Sequence, residues 1–410
     1  MNAGLADAAA EAPSHVPPPL VRDFDLFHFS APTADLYDEC SRISREEPAV
    51  FFTPHHGGYW VVNRADLLEQ AYADWELFSS EKSVGGAGVP PSPAEIPAFL
   101  PVEIDGAMHS ELRRPLNLAL SPRRVQELSV TARALAVRLI EGLAPRGRCE
   151  FVNDFSLKMP MELFLRLVDL PLEDLDYLLK VNQDFLRHPD ISRRHAAQGE
   201  LTAYLDGWVR KRVAEPGHDL MSNIVHLQVE GRPLTHEERV GYMGTVLAGG
   251  LDTVGGAMAM SARHLATHPE HRRHLIDNPG AIPNAVDELL RRHSSPTFGR
   301  YVVRDVEFGG VSMKRGDRIM LPLMLHGMDE RRWDKAREVQ LGRSTRGHMA
   351  FAAGPHRCPG ANLARVELAI FLEEWLKRIP DFAIDPEGQV LFEMGSVVGL
   401  KTLPLVWQAA

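Results

Sequence analysis

Phe351-Ala352-Ala353-Gly354-Pro355-His356-Arg357-Cys358-Pro359-Gly360 decides the reading of this chain. Gly354 and Gly360 carry no Cβ, so the backbone beside Cys358 can approach something flat and bulky. A helical run follows, from about Asn362 to Lys377. Its N-terminus offers unpaired N–H groups and a partial positive charge, which favour a thiolate over a thiol at Cys358. Arg357 and His356 add groups that can meet carboxylates. A lone cysteine is by default a small buried hydrophobe. The flanking pattern F-x-x-G-x-H-x-C-x-G sets this one apart.

Upstream, the apolar positions Val240, Met243, Leu247, Leu251, Val254, Met258, Ala262 and Leu265 recur at helical spacing. They predict one long helix from about Thr235 to Thr267, opened by a capping box of Thr235 and Glu238. Another face, Thr245, Gly249, Asp252 and Gly256, is small and polar, with Ala248 and Thr253 beside it. Gly249, Gly250, Gly255 and Gly256 in mid-helix cost roughly 1 kcal/mol each relative to alanine. Such a cost has a packing or functional reason, and a flat group lying against the helix is one.

The bulk numbers narrow the class. The 410 residues carry a net charge of −10, which argues against general nucleic-acid binding. The three cysteines leave one unpaired and suit neither a zinc site nor a disulfide framework, as expected in a reducing cytoplasm. The N-terminal stretch is rich in Ala and Pro and reads as neither signal peptide nor anchor. Residues 1–17 are expected to be poorly ordered, with one domain over 18–410. No window holds the roughly 18 apolar residues of a membrane span.

In chain order, Ala49–Phe52 and Tyr59–Val62 predict a hairpin, and Arg64–Ala73 a helix. From Ser83 to Pro101 the composition turns to Gly, Pro and small residues, as in a lid or binding loop. His109 and Arg113 follow at i, i+4, ahead of a helical run over Pro115–Leu120. Further helices are expected over Arg123–Leu143, Met159–Val168, Leu172–Phe185 and Ala196–Val213. Glu288 and Arg291 meet at i, i+3. Val302–Leu323 reads as strands with turns at Gly309-Gly310 and Arg315–Asp317, and Val390–Trp407 as short strands.

Together these stretches resemble the cytochrome P450 monooxygenases, closest to bacterial class I enzymes of the camphor-hydroxylase type, over about Phe24 to Trp407. The resemblance implies a mainly α fold, a triangular helical prism with a small β-rich lobe. It implies haem b between the central helix and the cysteine loop, with Cys358 as the axial thiolate on iron. Phe351, Gly360 and Gly249 would flank the macrocycle. His109, Arg113, Arg300 and His356 would neutralise its propionates, although Phe298 stands where relatives often have a polar group. Asp252 and Thr253 match the oxygen-activating pair, Thr253 as hydrogen-bond donor and Asp252 as proton relay from solvent. Glu288 and Arg291 match the E-x-x-R brace of the cysteine loop, with Arg343 as its third member. By position the substrate pocket would be lined by Pro97, Val102, Thr245, Ala248, Pro296, Thr297, Ser396 and Val397. In the camphor hydroxylase a tyrosine just before an F-x-P segment bonds the substrate; here that segment, Ile96–Pro101, holds no tyrosine.

The implied activity is hydroxylation of a small, mostly apolar molecule, terpenoid or norisoprenoid in size, with O2 and two electrons. No G-x-G-x-x-G loop follows a strand and no Cys cluster suits an iron–sulfur centre, so a [2Fe–2S] ferredoxin and its NAD(P)H-dependent reductase are implied as partners. The chain is expected to be a cytoplasmic monomer with neither a membrane nor a nucleic-acid partner. Alternatives are a peroxide-using haem-thiolate enzyme, a haem sensor, and a Cys358 nucleophile with His356 as base.

Overall fold

The structure is a computed structural model and describes residues 11–28, 33–89 and 91–409. Fourteen helices are described: α1 (Leu36–Glu46), α2 (Ala65–Ala73), α3 (Gly106–Ala119), α4 (Pro122–Leu143), α5 (Lys158–Val168), α6 (Leu175–Arg187), α7 (Ile191–Ala214), α8 (Leu220–Val225), α9 (His236–Leu251), α10 (Thr253–Thr267), α11 (Pro269–Asp277), α12 (Ile282–Arg292), α13 (Leu323–Met328) and α14 (Ala361–Arg378). The fold is mainly α with a small β-rich lobe, as the sequence implies. Among the described residues no helix is long and apolar enough to cross a membrane.

The lobe is a five-stranded sheet. Its order is Val50–Thr53, Tyr59–Val62, Arg318–Pro322, Thr297–Val302, Phe78–Ser79. The predicted hairpin is its first pair, with Phe52 opposite Trp60. Arg318–Pro322 runs parallel to Tyr59–Val62 and antiparallel to Thr297–Val302. Trp60 is wholly buried, and its indole N–H donates to Asp317 Oδ2 at 2.8 Å. Gly309 and Gly310 make the two-residue turn of a separate hairpin, with φ of 59° and 85°. Those angles suit a hairpin turn that follows the strand twist.

Several boundaries differ from the sequence reading. Residues 1–10 lie outside the described residues; within 11–17, Val16 is buried and His15 Nε2 bonds Asp317 Oδ2 at 2.8 Å. α3 begins at Gly106, nine residues before the expected run, and carries Pro115 inside it. Pro115 has no N–H for the Glu111 carbonyl, but Glu111 is exposed and water can serve. The expected long helix is two. α9 opens on the predicted capping box, with Glu238 N on Thr235 Oγ1 at 3.1 Å and Thr235 N on Glu238 Oε2 at 2.7 Å. It ends at Leu251, because Asp252 sits at φ −129°, ψ −40° and turns inward to a buried arginine.

The glycines around that break divide by role. A Cβ on Gly250 would come within 2.4 Å of the Phe164 ring, and one on Gly255 within 2.7 Å of the Ser156 carbonyl. These two glycines seat neighbouring chain. A Cβ on Gly249 would meet nothing within 4 Å. That position faces open space, as expected for the flat-group face.

On α12, Glu288 and Arg291 are both fully buried. Arg291 Nε and Nη2 bond the two Glu288 oxygens at 2.8 and 2.9 Å. Arg291 also donates to the carbonyls of Gly327 at 2.6 Å, Ala336 at 3.0 Å and Glu338 at 3.0 Å. Arg343 Nε reaches Glu288 Oε1 at 3.1 Å, so the three residues named from the sequence meet. Removing one partner of a buried pair strands the other charge. Glu288→Ala is therefore expected to lose about 3–5 kcal/mol of stability, measured by urea unfolding. A loss under about 1 kcal/mol would show that the pair does not brace the fold.

Candidate functional site

The Cys358 loop is built by backbone geometry. Gly354 has φ of 67°, and a Cβ there would come within 2.4 Å of the Tyr72 carbonyl. Only glycine meets both demands. Cys358 N donates to Phe351 O at 2.9 Å and Arg357 N to Gly354 O at 3.1 Å, closing the loop. α14 starts at Ala361, and Ala364 N returns to Gly360 O at 2.9 Å. The Arg365 guanidinium covers the Phe351 ring at 4.6 Å and bonds Asp287 on α12 at 2.6 Å.

A cavity of about 410 Å³ lies against this loop. Cys358, Phe351, Gly360, Leu363 and Ala364 line one part of it. Thr245, Ala248, Gly249 and Thr253 of α9 and α10 line another. The Cys358 side chain has surface open to the cavity, while the other two cysteines are buried in the core. Burial raises the Cys358 pKa, and the Gly360 N–H, Arg113, Arg357 and the Ala361 N–H pull it down without cancelling the rise. The helix terminus therefore acts in the expected direction but does not by itself make a thiolate. Coordination to a metal ion does, because it removes the proton outright.

Of the predicted cationic and imidazole groups, Arg113 and His356 line the cavity, whereas His109 and Arg300 are not among its lining residues. His109 is buried, and its Nε2 has no hydrogen-bond partner among the described residues. Burial, His356 and Arg113 hold its pKa down to about 4. Arg300 is buried, with Nη1 on Gly299 O at 2.8 Å and its guanidinium 5.8 Å from the Tyr72 ring centroid. Burial lowers its pKa, as for a cation lacking a close anion. Arg113 lines the cavity and donates through Nη2 to the Arg357 carbonyl. Phe298 lines the cavity with no polar atom to offer.

His356 departs from expectation. Its Nε2 is held by Asp105 Oδ1 at 2.8 Å, and its ring lies 4.2 Å from that of His109. Asp105 also accepts from Ser79 Oγ at 2.7 Å, Ser80 N at 3.0 Å and Ser80 Oγ at 3.0 Å. Burial pushes the Asp105 pKa up, but His356, Ser79 and Ser80 outweigh it and hold it near 2. So His356 already serves an internal carboxylate. Its partner comes from another part of the chain, and the Cys loop pattern gave no sign of it.

Asp252 is not open to solvent. It is 1% exposed. Arg187, at the end of α6, grips both its oxygens, with Nη1 on Oδ1 at 2.7 Å and Nη2 on Oδ2. Arg187 also donates to Val397 O at 3.1 Å. A direct relay from bulk water through Asp252 is therefore replaced by an enclosed ion pair. Sequence reasoning missed Arg187, which lies 65 residues away in the chain with no motif around it. Thr253 lines the cavity, and its Oγ1 donates to Gly249 O at 3.4 Å.

The predicted pocket residues Val102, Thr245, Ala248, Pro296, Thr297, Ser396 and Val397 line the main cavity. Pro97 instead lines a small adjoining cleft, shared with Phe99, Phe185 and Ala248. The hydroxyls of Thr245 and Thr297 are enclosed and have no hydrogen-bond partner among the described residues. The residues present fit a haem b. There is a cysteine on a tight loop against the cavity, a Cβ-free helix wall at Gly249, and a buried His109 Nε2 that has no partner among the described residues and feels the charge of Arg300.

Comparison with known proteins agrees. The family model described as Cytochrome P450 matches residues 282–408. The chain is 33% identical over 404 residues to a protein named probable cytochrome P450 127A1 from Sinorhizobium fredii (strain NBRC 101917 / NGR234), covering 96% of each. It is 31% identical over 356 residues to the 20-oxo-5-O-mycaminosyltylactone 23-monooxygenase of Streptomyces fradiae, covering 85% of this chain and 84% of that one. The crystal structure of CYP101J2 matches with a TM-score of 0.87 and 36% identity, over 97% of this chain and 100% of that one. The chain belongs to the cytochrome P450 family, whose members bind haem b through a cysteine thiolate. It is an oxidoreductase of the monooxygenase type.

One cavity residue was invisible in the sequence. Glu367 on α14 is buried, and burial alone pushes its carboxyl up to about 8. The folded protein thus keeps a proton between pH of about 4.5 and 8 that the unfolded chain releases. Stability should fall as pH rises through that window, by at most roughly 1.4 kcal/mol per pH unit. Glu367→Gln should flatten this slope in urea unfolding between pH 5 and 8; an unchanged slope would place the proton elsewhere.

Proposed function

We propose that the chain is a ferredoxin-dependent haem-thiolate monooxygenase that hydroxylates a compact, mostly apolar molecule. The observation that carries this is one cavity lined both by Cys358 on its tight loop and by Gly249 and Thr253 on the broken central helix. Bound haem b supplies the oxygen-activating redox chemistry, for the balance RH + O2 + 2 electrons + 2 protons to ROH + water. The residues of the chain do the rest. Cys358 Sγ ligates the iron. His109 Nε2, Arg113 and Arg300 hold the propionates, since buried carboxylates must be paired. Thr253 Oγ1 holds a proton at the cavity wall. Asp252 Oδ1 and Oδ2 are both held by Arg187, and passing a proton on requires one oxygen to leave that guanidinium. Directed protons keep the reduced oxygen from escaping as peroxide.

Cys358→Ser should abolish the red-shifted absorption of the reduced, CO-bound protein and the hydroxylation with it, because a neutral hydroxyl is a poor ligand. Thr253→Ala should keep haem and electron consumption but divert flux to hydrogen peroxide. Full coupling in Thr253→Ala would move the proton-holding role to another group. For the electron donor, Arg114 and Leu118 are exposed on α3, the helix whose Arg113 reaches the Cys loop carbonyl at Arg357. An acidic ferredoxin fits that surface. Arg114→Glu should slow ferredoxin-supported turnover and flatten its salt dependence, and unchanged kinetics at low salt would reject the docking site.

The substrate class rests on the walls. Val102, Ala248, Pro296 and Val397 are apolar, and the unpartnered hydroxyls of Thr245 and Thr297 can each take one polar group. Apolar burial then supplies affinity at about 25 cal/mol per Å², and one hydrogen bond sets orientation. A terpenoid- or norisoprenoid-sized ketone, alcohol or ether should shift the haem spin state, and Thr245→Val should change the site of oxidation more than the affinity. A library in which long-chain fatty acids or charged aromatic acids alone bind would overturn this assignment.

A further inference from the structure

The loop expected to be a lid, 83–89 and 91–101, has little regular structure beyond the short turn Lys82–Val84. It nevertheless contributes to the cavity lining, through Ala87, Val89, Ser92 and Phe99. Its two ends come together on one side chain just beyond it. Glu103 is 3% exposed. Its Oε1 accepts the Ala87 N–H at 3.1 Å and its Oε2 accepts the Phe99 N–H at 2.9 Å. The backbone of the same residue adds two bonds: its carbonyl accepts Lys82 N at 3.1 Å, and its N–H donates to Phe99 O at 2.8 Å. Gly86 makes room for the carboxylate. Its φ is 82°, and a Cβ there would come within 2.2 Å of Glu103 Oε1.

A buried carboxylate without an ion pair is costly. Among the described residues Glu103 makes no salt bridge; Lys82 and Arg300 face it at longer range, and burial raises its pKa. What holds it is the loop backbone itself. Opening the loop would return the carboxylate to water and give up both N–H bonds. Closure therefore sets that desolvation against the two N–H bonds. The closed loop has a second seat on α9, where a Cβ on Gly244 would come within 2.7 Å of the Phe99 ring and one on Gly241 within 2.0 Å of Ala98 O.

We propose that Glu103 is the latch of the loop over the cavity: by bridging the N–H groups of Ala87 and Phe99 it holds the loop closed and selects by size the molecules that reach the haem side. Glu103 is thus a positioning residue, acting on substrate through Ala87 and Phe99. The inference deepens the proposed monooxygenase reading but does not need it, because loop closure can be measured apart from turnover.

The test uses the full-length haem-loaded protein with Glu103→Ala, Glu103→Gln and Gly86→Ala. Hydrogen–deuterium exchange of peptides covering 84–101 should rise by roughly tenfold in Glu103→Ala, the scale of losing hydrogen bonds to a charged acceptor. Peptides from α14 should not change. Glu103→Gln keeps one carbonyl acceptor and should show a smaller rise. It also serves as the readout if the alanine variant does not fold. Gly86→Ala keeps Glu103 but displaces its Oε1, and should loosen the same peptides. 4-Phenylimidazole, followed by its Soret shift, should associate faster in all three variants, while the much smaller imidazole should gain little. Unchanged exchange over 84–101 in folded variants would overturn the latch. A chain that carries no thiolate-ligated haem would instead sink the monooxygenase reading, and the exchange would still report on the latch.

Discussion

Two charges with no access to water, Glu288 and Arg291, set the frame on which the rest depends. Neither can be left unpaired, so each gathers every donor or acceptor it can reach. Arg291 ties α12 to the carbonyls of Gly327, Ala336 and Glu338. Glu288 adds Arg343 and the Gln340 N–H at 2.9 Å. The irregular chain from 329 to 343 is thereby fixed without secondary structure of its own. That chain runs straight into the Cys358 loop, so the frame of one ion pair becomes the position of one sulfur. Hydrophobic packing alone is not directional and could not specify the path of such a segment.

A second enclosed pair, Arg187 with Asp252, plays a different part. It joins the end of α6 to the break between α9 and α10. The break turns Asp252 inward while Thr253, one residue on, lines the cavity. A continuous helix would carry both side chains around its axis at a fixed step of roughly 100°. The departure from helical φ, ψ lets the two adjacent residues serve different neighbours.

The cavity itself survives because its walls are held from outside. Close packing would otherwise fill it, since interiors tolerate few voids. Gly250 and Gly255 let Phe164 and the Ser156 carbonyl press against the central helices from one side. Gly249 leaves the other side free. The loop over the cavity is pinned at Ala87 and Phe99 by a carboxylate and seated on Gly241 and Gly244. Small residues thus do two opposite things on one pair of helices, bringing neighbours close and keeping a space open.

The sequence by itself determined the elements and the chemistry of the site. The helical spacing from Val240 to Leu265, the Thr235 capping box and the hairpins were readable, because local hydrogen bonding and periodic burial act over a few residues. The Cys358 loop was readable too, because a positive φ at Gly354 and a helix start at Ala361 leave a local imprint. The Glu288–Arg291–Arg343 meeting was legible through family resemblance, as spacing alone would have suggested a surface pair. Only the tertiary structure decided who partners whom over long distances. It gave Asp252 to Arg187, His356 to Asp105, and Glu103 to Ala87 and Phe99. It also separated Gly249 from Gly250, which are equal as letters and opposite in role. The physical reason is that a buried charge is satisfied by whatever the fold brings within about 3 Å, and that distance carries no trace in the local pattern of residues.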